Sequence, residues 1–182
     1  MKNDGKGKVY CFSEGEFSIL ADVCGIQTLL CFSAAGGNEL KKLTRGEYAK
    51  TVYELSKRNI IIREEEELVL DESIAGMILL CKNCDHILGF CNAEGKGYKA
   101  CIYLTRSGVF TLVLPGSRKG EYIRMSSHDK DELELLAEDY MQENEELRIF
   151  SGSNMMQEGI IRKAPDKIDL KDILGKYLNA GG

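Results

Sequence analysis

At His86 the hydrophobic period of the chain changes from 3.6 residues to 2, and this switch constrains the fold more than any other feature. Downstream of it HILGFC (86–91), YKACIYLT (98–105), VFTLVL (109–114) and EYIRM (121–125) read as four strands. The breaks between them, AEGKG, RSG and PGSRKG, carry the glycine, proline and serine that turns require. Tyr98, Ala100, Ile102 and Leu104 fall on one face of the second strand, and Phe110, Leu112 and Leu114 share a face of the third. Such short connections fit only antiparallel neighbours, and the alternation predicts a meander with one covered side.

Upstream, the period is helical. Ser13 with Glu16 forms a capping box, Phe12 and Phe17 stand at staple positions, and Gly25 is placed to stop a helix over 14–24. After a loop at 34–38, Thr44 with Glu47 opens a second helix over 45–58, with Leu43 and Tyr48 as staple and Tyr48, Val52 and Leu55 as its apolar stripe. Asn59 sits where a left-handed residue ends such a helix. Ile60–Ile62 and Leu68–Leu70 flank an acidic run and read as a small hairpin. Asp71 caps a third helix over 72–84, with Ile74, Met77, Ile78 and Cys81 inward.

Beyond the strands, Ser126–Asp129 opens a helix over about 130–142 with Leu133, Leu136 and Tyr140 inward. Residues 145–150 and 159–163 read as strands around the loop SGSN. A final amphipathic helix over 170–179 carries Leu170, Ile173, Leu174, Tyr177 and Leu178, and its expected seat is the chain's own sheet. Helices, sheet, helices give an α+β class: an antiparallel meander covered by helices, in one domain over 9–182 after a disordered tail at 1–8. A monomer and a homodimer both fit.

The 182 residues hold 43% hydrophobic and 29% charged residues with a net charge of −5. Acidity without a long basic cluster argues against nucleic acid. No apolar run approaches a membrane span, and the opening MKNDGKGKVY has no apolar stretch of a signal peptide, so a cytoplasmic chain is expected. Seven cysteines cannot all pair, which makes reduced thiols the expectation.

Chemistry-bearing motifs are few. Cys81-x-x-Cys84, followed by Cys91 and Cys101, is the one set with metal-like spacing. Cys81 continues a helical apolar stripe, though, and the pair ends its helix, where the dipole opposes thiolate formation. Packing cysteines, with no metal and no cofactor, are therefore expected. His86 and His128 are the two histidines, and nothing local assembles a catalytic triad around either. Gly95-x-Gly97 lacks the helix that a nucleotide fingerprint needs. The expectation is a non-enzymatic binding protein. Helix, hairpin and helix over 45–84 also fit a winged-helix-like regulatory or interaction module, but helix 72–84 offers Glu72, Lys82 and Asn83 between Asp71 and Asp85, which disfavours a phosphate backbone. A small zinc or thiol protein is the least supported alternative.

The order of these features resembles the EspG-type chaperones of type VII secretion. The resemblance runs over about residues 9–125: Phe12-Ser13-Glu14-Gly15-Glu16-Phe17, the loop 34–38, Thr44 to Glu47, Leu55 to Asn59, Leu70-Asp71 and the strands from His86. Asn59 stands where the family carries glycine. The resemblance implies a cytosolic adaptor that binds a helical secretion substrate, shields its apolar tip and delivers it for export, by groove or sheet-face recognition. The meander loops are then the expected contacts: Arg118, Lys119 and Tyr122 first, Lys96 and Tyr98 second.

Overall fold

A computed structural model describes residues 7–30, 40–93, 97–116, 122–152, 154–163 and 170–179, the last helix with side chains to 176. The tail over 1–6, the loop 34–38, the tips of AEGKG, PGSRKG and SGSN, and the side chains of Tyr177 and Leu178 lie outside the described residues. No helix among the described residues is long and apolar enough to cross a membrane.

The chain is α+β. The expected strands form at His86–Cys91 (β4), Tyr98–Leu104 (β5), Phe110–Leu114 (β6) and Ile123–His128 (β7), paired in sequence order as an antiparallel meander. Two more strands, Glu146–Ser151 (β8) and Gln157–Arg162 (β9), form a hairpin that joins the sheet beside β4. One strand has no counterpart in the sequence reading: Tyr10–Phe12 (β1) pairs with β7. Three residues are too few to show a period. The sheet order is β1-β7-β6-β5-β4-β8-β9, antiparallel throughout.

Helices Glu14–Val23 (α1) and Arg45–Lys57 (α2) begin at the two capping boxes, both fully formed. Ser13 N donates to Glu16 Oε2 at 2.8 Å and Thr44 N to Glu47 Oε2 at 2.9 Å. Asn59 has a φ of 54°, the left-handed conformation expected after α2. Ile61–Glu64 (β2) and Glu67–Leu70 (β3) make the small hairpin, with the acidic run at its turn. Asp71 Oδ1 caps Glu72–Asn83 (α3), accepting from Ser73 N at 3.1 Å and Ile74 N at 3.2 Å.

The meander is not covered on one side only. Ile87, Cys101, Tyr103, Val113 and Met125 face a core shared with α1 and α3, while Leu88, Phe90, Ala100, Ile102, Leu104, Phe110 and Leu112 face a second core. The second core is closed by Leu133–Glu143 (α4) and Leu170–Asn179 (α5). The last helix thus sits on its own sheet, through Leu170 and Leu174. Alternation is weak in HILGFC and YKACIYLT because both faces are buried, so apolar residues occupy both parities. A 3-10 turn at Lys130–Glu132 precedes α4, and Ser126–His128 belong to β7. The inward stripe of α4 is Leu133, Ala137 and Met141, with Leu136 and Tyr140 on its flank.

Two local departures shape the surface. A bulge between Phe90 and Cys91 sets Tyr98 opposite Cys91 while Ala100 stays opposite Phe90. Tyr98 is thereby turned away from Ala100, Ile102 and Leu104 onto the first face, with its ring over Gly89 and 6.0 Å from that of Phe150. The second departure is α2. It touches α1 and β2, not the large sheet, and Leu55 is its one buried residue. Tyr48 of the expected stripe is 38% exposed, because α2 is a second layer stacked outside α1.

Tight backbone contact joins α3 to β8. Gly152 N donates to Asp85 O at 2.8 Å, and a Cβ on Gly152 would lie 1.9 Å from Cys84 O. Gly152→Ala should therefore cost about 1–3 kcal/mol, read by denaturant unfolding, and a neutral result would mean the α3–β8 crossing is loose. Leu112→Ala should cost on the order of 2–5 kcal/mol in the same measurement, and a loss below about 1 kcal/mol would mean that α4 and α5 do not close the second core over β6.

Candidate functional site

The cysteines do not converge. Cys81 and Cys84 end α3 and are buried, and Cys91 lies at the far end of β4. Cys101 is disulfide-bonded, so the expectation of seven reduced thiols does not hold and that sulfur is not available as a ligand. No group of three or more His, Cys, Asp or Glu among the described residues could hold a metal ion. Cys84 Sγ donates to Cys81 O at 3.3 Å, a local bond at the carbonyl end of the helix. Burial pushes the Cys84 thiol up to about 12 and the Cys81 thiol well above its ordinary value. This is the opposite of a poised redox pair.

One polar relay has the connectivity of a hydrolytic triad. Ser126 Oγ lies 2.8 Å from His128 Nε2, and His128 Nδ1 lies 3.2 Å from Glu132 Oε2. Ser126 and His128 share a parity on β7, and Glu132 ends the 3-10 turn that follows, so the junction of strand and turn brings the three together. Scanning for a conserved-looking nucleophile motif misses it because no loop signature surrounds it. Ser126 is only 6% exposed, and the His128 ring stacks on Phe110 at 5.2 Å. Neither cleft described below is lined by the serine or the histidine. The relay fastens the end of β7 to the start of α4.

Among the described residues two clefts stand out. One, about 620 Å³, lies where the β5–β6 turn meets the starts of α4 and α5. Arg106, Lys130 and Lys171 face Asp131, Glu134 and Asp172 around it, so its charges balance and select neither anion nor cation. The other, about 390 Å³, lies between α1 and the segment leading into α2. Its floor is apolar, from Ile19, Ile26, Leu40, Leu43 and Tyr48, with Asp22, Lys41 and Lys42 at the rim. Leu43 and Tyr48, the staple pair of α2, line it together. Tyr53, further along α2, is 60% exposed. The hairpin adds Ile62 and Val69, a directly opposed and exposed pair. An apolar groove running into an uncovered helix is the arrangement a partner helix fills.

The sequence-expected contact residues behave differently from one another. The β4–β5 and β6–β7 connections leave the same end of the sheet, which brings Tyr98 and Tyr122 to one end. Tyr122 is 60% exposed. Tyr98 is half-buried, and burial raises its hydroxyl above the usual range. Lys96, Arg118 and Lys119 lie outside the described residues. The winged-helix comparison fares less well at α3. Ile74, Met77, Ile78 and Cys81 are buried and α3 packs on β5, β6 and β7, so the helix that would read DNA is a core helix.

Beside Tyr98, the carboxylate of Glu146 accepts from Arg148 Nη2 at 3.0 Å and from Arg162 Nε at 3.1 Å. These bonds hold its carboxyl below the usual value. A folded-state value below the unfolded one stabilises above the ordinary carboxylate range and is lost as pH falls through it. Glu146→Gln should therefore lower stability most at neutral pH, and its difference from wild type should shrink between about pH 5 and 3. A difference that is flat with pH would remove the two arginines as its partners in solution. Alkylation of the native protein at pH 8, followed by mass mapping, should modify exposed Cys11 fast and Cys84 slowly, since only about one Cys84 in ten thousand is then thiolate. Equal rates would overturn the buried placement of Cys84. No protein-family model matches the chain, and no curated protein matches it in sequence.

Proposed function

We propose that the chain is a non-enzymatic chaperone or adaptor, acting in the cytoplasm, that binds a helical type VII secretion substrate and keeps it soluble for export. The observation that carries this reading is the apolar groove at the start of α2, with Tyr48 at its edge. This helix, opened by its own capping box at Thr44 and Glu47, keeps Tyr48 and Tyr53 in solvent and has the groove at its start. Helices α1, α3 and α4 bury full apolar stripes, and outside those stripes α3 and α4 leave Leu79 and Leu135 exposed. The resemblance to EspG-type chaperones over residues 9–125 supplies the substrate class. Lys41 and Lys42 at the groove rim favour a substrate helix with acidic residues beside its apolar face.

Arg118, Lys119, Tyr122, Lys96 and Tyr98 form the second contact region in this reading, at the end of the meander. Co-expression with a helical-hairpin secretion substrate tests both regions. Tyr48→Lys with Tyr53→Lys should leave the circular dichroism and unfolding midpoint near wild type and reduce co-purified substrate about tenfold or more. Arg118→Glu with Lys119→Glu should leave folding intact and weaken capture. Full capture by both double variants would refute the assignment of these surfaces, and no capture by wild type would refute the substrate class.

A further inference from the structure

Cys101 lies in the middle of β5, fully buried on the first face of the sheet, and its sulfur is disulfide-bonded. Cys11, Cys24, Cys81, Cys84 and Cys91 are free thiols. The chain has seven cysteines, so Cys31 is the one left to close the bond. The neighbourhood of Cys101 agrees. Tyr103, two residues along β5 on the same face, donates its hydroxyl to the carbonyl of Leu30, the residue before Cys31. Ile26, Leu29 and Leu30 are buried in that core, so the chain leaving α1 has reached β5 by Leu30.

We propose that Cys31 and Cys101 form an intramolecular staple between the α1–α2 connection and the sheet, and that the apolar groove at the start of α2 is held by it in a redox-dependent way. The groove takes its lining from both ends of that connection, Ile26 and Gln27 from one and Leu40 to Leu43 from the other. A bond from Cys31 to Cys101 encloses α2, the small hairpin, α3 and β4, a long loop whose closure restricts the unfolded chain. Cys81 and Cys84 pack in the same core, but burial holds both as thiols, and a thiol does not attack a disulfide, so the pairing is not reshuffled. In the thiol-rich compartment that the proposed function calls for, the open pair is the resting state and an oxidising challenge closes it. Closure removes two electrons. One cysteine displaces a small thiol from a small-molecule disulfide, and the second cysteine displaces the other small thiol from the mixed disulfide, so the two departing thiols carry away the electrons and the protons. Regulation of binding rests on the proposed function; the pairing and its effect on the groove are read without a substrate.

The full chain, equilibrated with a small-molecule disulfide and then counted for thiols in denaturant, tests the pairing. Five thiols should react before reduction and seven after it. Peptide mass mapping should find one cross-linked pair, holding Cys31 and Cys101, that gains two hydrogens on reduction. Reduction by a dithiol should lower the unfolding midpoint of wild type by roughly 5–15 °C and leave that of Cys31→Ser unmoved. Hydrogen exchange reads the groove itself. The Ile26 amide donates to Ala21 O at 2.8 Å and the Tyr48 amide to Thr44 O at 2.9 Å, one on each side of it. Both should exchange about tenfold faster in the reduced chain. If Cys31→Ser fails to fold, wild type compared oxidised and reduced decides in its place. Seven reactive thiols after oxidation, or a cross-link between other cysteines, overturns the pairing. Equal exchange at Ile26 and Tyr48 in the two states overturns the staple's hold on the groove. Failure to capture a secretion substrate while these readouts hold counts against the proposed function alone.

Discussion

The structure depends on a sheet that is apolar on both faces. Strands β4, β5 and β6 place almost every residue out of water, with Tyr103 and Cys101 on one side and Ile102 and Ala100 on the other. A strand of this kind cannot be left half-covered, because each exposed face would lose roughly 25 cal/mol for every Å² of apolar surface returned to water. The remaining elements follow from that demand. α1 and α3 close one face, α4 and α5 close the other, and the chain crosses the sheet through α4 to bring β8 beside β4. Thr111, fully buried in the middle of β6, meets this constraint by donating to Met77 O of α3 at 3.3 Å. Tyr103 does the same with the Leu30 carbonyl.

Covering the sheet uses up most of the helical stripes, which makes the exception informative. α2 contributes Leu55 to the first core, with Val52 packed half-buried beside it, and leaves Tyr48 and Tyr53 in solvent. Its position comes from α1, which occupies the place against the sheet that a more apolar α2 could have taken. The same logic separates the two sheet edges. Arg58, just past the end of α2, reaches both Glu16 Oε1 at 2.7 Å and the Cys11 carbonyl, and so ties α1 and β1 together while closing that edge. β9, bulged at Glu158, has no equivalent cover among the described residues. Function in this protein is therefore argued from surfaces left over after packing, and not from a reactive centre.

Local chemistry was legible in the sequence wherever a few adjacent residues decide it. The capping boxes at Ser13 and Thr44, the Asp71 cap, the left-handed Asn59 and the hairpin around the acidic run all formed as their spacing indicates. Strand positions were legible for the same reason. The number of covered faces was not, because a doubly buried strand and a half-buried one differ in a residue or two of parity, and Ala100 and Cys101 suit either. Tyr98 was assigned to the wrong face because a single extra residue in the β4–β5 ladder reverses parity, and nothing in YKACIYLT marks the bulge. The Ser126–His128–Glu132 relay was invisible for a different reason: its members sit on a strand and a turn whose junction is set by packing on Phe110.

The sequence by itself determined where the capped helices start and where the central strands lie, since caps, turns and periods act over four or five residues, but not the short β1 or the far end of β7. It also determined which residues are apolar enough to need burial. Only the tertiary structure decided which of those needs were met: that the sheet is clothed twice, that α2 stands outside α1 with Tyr48 and Tyr53 in water, and that β9 ends the sheet with its backbone groups unclaimed by any described strand. Exposure is a property of what arrives from elsewhere in the chain, and no window of adjacent residues contains that information.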